Sequence, residues 1–236
     1  AVYRMERAWA NAAGGHWMDT HLSQVTLRAL FGRPSERTRQ RLIEFFASEG
    51  LTHEVRFGQI SGARLALVGA DLESGEPVIY GQDPQQSVLD ALFASIALPP
   101  WFAPVENNGQ FVIDGGALSN LPIEPALRLG ATEIIALDLD DPCSIAGSER
   151  AFFRRMEQLV FALSRRHVQL ESALAEARGV PVQRIELRGP MPTPIWDFRN
   201  CQVLIRVGYD ITSRFLAGQG SLSVPGDSGG CTQTVS

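Results

Sequence analysis

The sequence predicts an α/β layer fold with a largely parallel sheet, and three observations carry that expectation. Helix-type and strand-type stretches alternate along the chain. Two strand-type stretches, Leu65–Val68 and Glu133–Leu139, are apolar runs of the kind buried inside a sheet. The 236 residues, 44% hydrophobic and 20% charged, suffice for one large domain with a real core.

The elements follow in order. Val2, Met5 and Trp9 recur at helical spacing, so residues 2–13 read as a helix ended by Gly14 and Gly15. Pro34 and the capping residue Ser35 open a second helix at Glu36, with Leu42, Ile43, Phe45 and Phe46 as its apolar face and Gly50 as its stop. From Arg64 the period changes. Leu65–Val68 and Val78–Tyr80 read as two strands around the turn Ser74-Gly75. Ser87–Leu98 reads as a helix closed by Pro99 and Pro100, and Phe111–Ile113 as a strand running into Asp114-Gly115-Gly116. Pro122–Leu129 is a short helix stopped by Gly130, and Glu133–Leu139 a buried strand. A long helix from about Ser148 to Arg178, a strand over Val182–Leu187 and a helix over Cys201–Leu216 complete the order. After Ala217 the residues are mostly Gly, Ser, Thr, Pro and Gln, the composition of a flexible polar tail at 218–236.

Composition removes several chemistries. The chain contains no lysine, all 21 of its basic residues being arginine, so a P-loop, a pyridoxal Schiff base and an S-x-x-K site each lack their key residue. The net charge of −5 argues against a nucleic-acid partner. Cys143, Cys201 and Cys231 are widely spaced with no C-x-x-C, which disfavours a disulfide framework or structural zinc. The uncharged stretch Ala91–Val105 carries Pro99, Pro100 and Pro104 and is too short and broken to span a bilayer. The first residues, from Ala1, lack the form of a signal peptide, and the chain reads as starting within a longer protein.

The informative segment is Leu89–Leu139. Asp-Gly-Gly after a strand is by itself an ordinary turn. Around it, however, stand a helix ending A-S-x-x-x-P (Ala94, Ser95, Pro99), a proline-rich crossing, then N-L-P at Asn120–Pro122 and a helix ending L-G-A. Together these resemble the patatin-like phospholipases. The resemblance extends from about Arg64, through the hairpin R-L-A-L-V-G-A-D, to Leu216, including I-W-D-F-R-N at Ile195–Asn200. It implies a patatin-like three-layer fold with a mostly parallel central sheet flanked by helices. It also implies that Asp114 is half of a serine–aspartate dyad, with Gly115 and Gly116 letting the backbone turn sharply and leaving room beside the carboxylate.

Two further parts of that family pattern, a glycine-rich oxyanion loop and a G-x-S-x-G elbow, do not occur between Ala1 and Arg64. The expectation is a chain whose upstream part carries both, the domain running over 1–217 without its N-terminal part. Gly226-Asp227-Ser228-Gly229-Gly230 fits G-x-S-x-G, but no buried strand precedes it and the chain ends six residues later, so Ser228 is read as a decoy. His16, His21, His53 and His167 are scattered without ligand spacing. Asp138, Asp140 and Asp141 read as a polar strand end. The arginines of the long helix (Arg154, Arg155, Arg165, Arg166) read as a solvated face, with anionic head groups as the alternative contact. Phe93, Ile96, Leu98, Trp101 and Phe102 read as core, with an acyl-chain groove as the alternative.

The function expected is hydrolysis of lipid acyl esters by a serine-dependent carboxylic ester hydrolase, with Asp114 as general base and the serine upstream. No metal or organic cofactor is required, since backbone amides can hold the oxyanion. This chain alone is then expected to be inactive. The partners expected are a lipid or other acyl ester and a peripheral membrane surface, and the expected location is cytoplasmic, any secretion signal lying upstream. The alternative is a non-catalytic protein of the same fold that binds lipid or a partner.

Overall fold

The computed structural model describes residues 2–13, 36–99, 101–107, 109–139, 151–190 and 197–218. Helix α1 (Val2–Ala12) packs on the distant α6 (Cys201–Leu216). The Trp9 ring lies 5.4 Å from that of Phe198, and the buried Cys201 thiol donates to the Trp9 carbonyl at 3.5 Å. Just before α6, Arg199 clamps Asp197 through its own N–H and its guanidinium, which hold the carboxyl down at about 2.

Helix α2 (Glu36–Ser48) turns Leu42, Ile43 and Phe46 onto Leu89 and Phe93 of α3 (Val88–Ser95). Ser87 caps α3 by accepting the Asp90 N–H. Helix α3 lies across strands β1 (Leu67–Asp71) and β4 (Gln110–Asp114). With β2 (Pro77–Tyr80) and β3 (Val105–Asn107) these form a four-stranded sheet of order β2-β1-β4-β3. Phe57, Tyr80, Val88 and Val112 pack into one cluster between α3 and this sheet.

The hairpin before α3 is organised by Asp71. Its carboxylate accepts from the Glu73 N–H, the Ser74 hydroxyl and the Gln110 amide at 2.8–3.0 Å, and these bonds lower its pKa. One side chain thus closes the β1–β2 turn and ties it to β4.

The second half of the chain holds α4 (Ile123–Arg128), β5 (Ile134–Asp138), α5 (Ala151–Ala177) and β6 (Val182–Glu186). β5 and β6 pair in parallel across the α5 crossover. Leu121, Ile123, Leu127, Ile134, Ala136, Val168 and Ala175 form a core of their own between this pair and the helices.

The expectation of a mostly parallel central sheet needs correction. Every pairing in the four-stranded sheet is antiparallel, and only β5–β6 is parallel. For two of the three pairings connection length is the reason. β1 and β2 are joined by five residues, and β3 and β4 by two, which allows only hairpins; a parallel pair needs a crossover of a dozen residues or more. The tail 218–236 lies outside the described residues apart from Gly218.

Candidate active site

Strand β4 delivers Asp114 to its last position, opposite Gly69 of β1. The Asp114 amide donates to the Ala97 carbonyl at 3.1 Å, so the sheet and the end of α3 together fix its backbone. The chain then enters a one-turn 3-10 helix, Gly115–Ala117. The carboxylate folds over this turn, and Oδ1 accepts the Gly116 N–H at 2.7 Å. Among the described residues nothing hydrogen-bonds Oδ2. The carboxyl is half-buried, and that burial lifts its pKa above the ordinary 3.8, with the Gly116 N–H pulling the other way.

Neither glycine has a positive φ, so space rather than a left-handed backbone is what each one supplies, and Gly115 is the more constrained. A Cβ on Gly115 would stand 2.3 Å from the Val68 carbonyl oxygen, so any side chain there forces the turn away from β1. On Gly116 it would stand 3.1 Å from Asp114 Oδ1 and 3.3 Å from Asn120 Oδ1. The expected room beside the carboxylate is thus present, but the backbone turn itself uses ordinary angles.

Two residues that sequence reasoning missed hold this arrangement. Ser95, at the end of α3, donates its hydroxyl to the same Val68 carbonyl at 2.8 Å. It pins the β1 backbone against which Gly115 packs. Glu171, buried at 4% exposure on α5, accepts the N–H groups of Ile123 and Glu124 at 2.9 and 3.3 Å. It caps α4, whose preceding residue Pro122 offers no side-chain cap. No short-range pattern marks the bond of either residue, because Ser95 reaches back 27 positions and Glu171 reaches back 48.

The other candidates lie apart from Asp114. His53 bonds Asp90 at 2.9 Å on the surface, and His167 stands 3.5 Å from Glu171. Asp138 is buried and paired with the Arg184 guanidinium at the end of β5, as a polar strand end requires. Phe93 and Phe102 are buried, and Ile96 and Trp101 pack on them with Leu42 and Leu89, which makes this segment core. No group of three or more His, Cys, Asp or Glu gathers among the described residues. His16, His21, Asp140, Asp141, Cys143, Ser228 and Cys231 lie outside those residues, as does the Arg154 side chain.

A sequence profile of the patatin-like phospholipases matches residues 4–127. It reaches further back than Arg64, taking in α1 and α2, and stops within α4, so β5 to α6 fall beyond it. An NTE family protein of Mycobacterium bovis and one of Mycobacterium tuberculosis are each 33% identical over 99 residues, which are 42% of this chain and 15% of theirs. Another NTE family protein of Mycobacterium tuberculosis is 37% identical over 73 residues, 31% of this chain and 19% of its own length. The matched stretch therefore spans less than a fifth of each relative. With the profile covering more than half of the chain, and with a strand ending in an aspartate over a turn where a Gly115 side chain would strike the β1 backbone, the protein belongs to the patatin-like phospholipase family.

Proposed function

We propose that the protein cleaves lipid acyl esters through a serine–aspartate dyad in which Asp114 is the general base and the serine comes from sequence upstream of Ala1. The observation that carries this reading is the state of the Asp114 carboxylate. One oxygen is held by the Gly116 N–H, the other is free of hydrogen bonds among the described residues, and burial makes the group more basic than an ordinary aspartate. Gly116 keeps a side chain away from it, and Gly115 lets the turn pack on the β1 backbone.

In the first half-reaction Oδ2 takes the serine hydroxyl proton while the serine oxygen attacks the acyl carbonyl. The tetrahedral oxyanion collapses with cleavage of the ester C–O bond, and Asp114 returns the proton to the departing alkoxide. Water then attacks the acyl-serine in the same way. Asp114 takes a proton from the water and passes it back to the serine oxygen as the free acid leaves. The carboxylate is unchanged over the cycle and no redox partner is needed.

The test uses protein from the complete native gene. Asp114→Asn keeps the shape and the Gly116 bond but removes the base. Ester turnover is expected to fall by about a hundredfold or more, the usual worth of a general base. A fluorophosphonate is expected to label one upstream serine in the wild type. Unchanged turnover in the variant would remove Asp114 from the chemistry, and a folded wild type with no labelled serine would favour a lipid-binding protein without hydrolase activity.

A further inference from the structure

Helix α5 presents a solvent face of unusual composition. Its inner face carries Val168, Glu171 and Ala175, all buried against α4 and the β5–β6 pair. The outer layer of an α/β structure is normally polar. Here Leu159, Leu163 and Leu170 are 52%, 61% and 52% exposed. At 3.6 residues per turn they fall within roughly 40° of one another, a single stripe along the helix. Arg166 and Arg155 lie on one flank of that stripe, roughly 20° and 40° round from Leu159, both exposed. Among the described residues the other exposed positions on this face are Ala162, Ala173 and Ala177, with Gln169 at its edge. The described carboxylates of α5 stand elsewhere: Glu171 is buried, and Glu176 is roughly 120° round from Leu170.

A cationic apolar face on a chain of net charge −5 is a local reversal of sign. We infer that this face of α5 lies on an anionic lipid surface, with the leucines in the acyl boundary and the arginines on the head groups. The chemistry is that of interfacial helices, which combine an apolar stripe with flanking cations. Among the described residues no helix is long and apolar enough to cross a membrane, so the contact is in the plane of the interface. The Glu171 cap joins α5 to α4 nine residues after Asp114, so the helix that meets lipid also braces the segment leaving the candidate site. Lipid binding rests on this helix alone and requires no turnover.

The experiment is flotation of the full chain with phosphatidylcholine vesicles, with and without phosphatidylglycerol, in the Asp114→Asn background so that hydrolysis does not alter the lipid. Binding is expected only to the anionic vesicles and is expected to weaken with added salt. Replacing Leu159, Leu163 and Leu170 by serine is expected to weaken it by about tenfold or more, from the apolar area withdrawn. The separate pair Arg155→Gln and Arg166→Gln is expected to weaken it by about fivefold per arginine and to flatten the salt dependence. Circular dichroism checks that each variant keeps its helix. The arginine pair tests the face even where the triple variant does not fold. Three outcomes overturn the assignment: no binding to either vesicle, binding that both variants retain, or a concentration-dependent dimer that the leucine variant abolishes, which would give the face to a second copy.

Discussion

At Asp114 two opposing influences set the protonation state, and burial is the larger. Its pKa in the folded chain therefore exceeds that in the unfolded chain, and the sign for stability follows. A carboxyl with a raised folded pKa contributes its full stability only below the unfolded value, and that contribution is lost as pH rises through the folded one. Ionised Asp114 is thus a source of instability at neutral pH. Asp114→Asn is expected to melt no lower than the wild type at pH 7, with the difference shrinking as pH falls through the carboxylate range. In the active protein the acid limb of kcat/KM is expected above the ordinary 3.8. A variant that melts lower at neutral pH, or a limb below that value, would mean that the Gly116 N–H outweighs burial. The aspartate itself was legible in the sequence, because a strand followed by two glycines is a local pattern. Ser95 was visible only as part of a motif, and its bond to Val68 was not, because the partner lies 27 residues away.

Elements were legible where their cause is local. Helix α6 coincides with the expected Cys201–Leu216, and α3 begins right after Ser87, where the expected helix starts, but ends at Ser95, three residues short of Leu98. β1 is displaced by two to three residues from the expected Leu65–Val68, since its register is set by β2 and β4 rather than by its own apolar run. β3 was read as loop: three residues, none fully buried, give no period to detect. The cap of α4 was invisible for the same reason as Ser95, and it carries an element-scale consequence. Glu171→Ala removes the side-chain acceptor shared by the Ile123 and Glu124 N–H groups, while Ile123 keeps its 2.7 Å bond to the Leu121 carbonyl. The expected loss is about 0.5–2 kcal/mol, the usual cost of removing a helix cap. Glu171→Gln keeps an acceptor and is expected to recover much of that loss. Urea unfolding of the two variants measures both, and equal losses would mean that packing rather than the cap holds α4.

Over the whole molecule the sequence misjudged the sheet because strand character and strand direction are different properties. Apolar runs locate strands, while direction depends on connection length, and the two short connections of β1–β2 and β3–β4 outweigh the alternation with helices. The Glu133–Leu139 run carries the same lesson. It reads as buried on both faces, yet in β5 only alternate residues are covered, and Ile135, Leu137 and Leu139 are 53%, 52% and 76% exposed. A strand in a parallel pair normally has both faces covered. The proposed upstream segment is expected to supply the missing cover. In the 236-residue chain Leu137→Thr is therefore expected to change stability by less than about 0.5 kcal/mol, as at an exposed site, while lowering its tendency to self-associate. In protein from the complete gene the same substitution is expected to cost about 1–3 kcal/mol, the worth of a covered leucine. Thermal melting of both pairs decides the matter. A small effect in both proteins would leave β5 with one face in water and would place the serine-bearing segment elsewhere on the molecule.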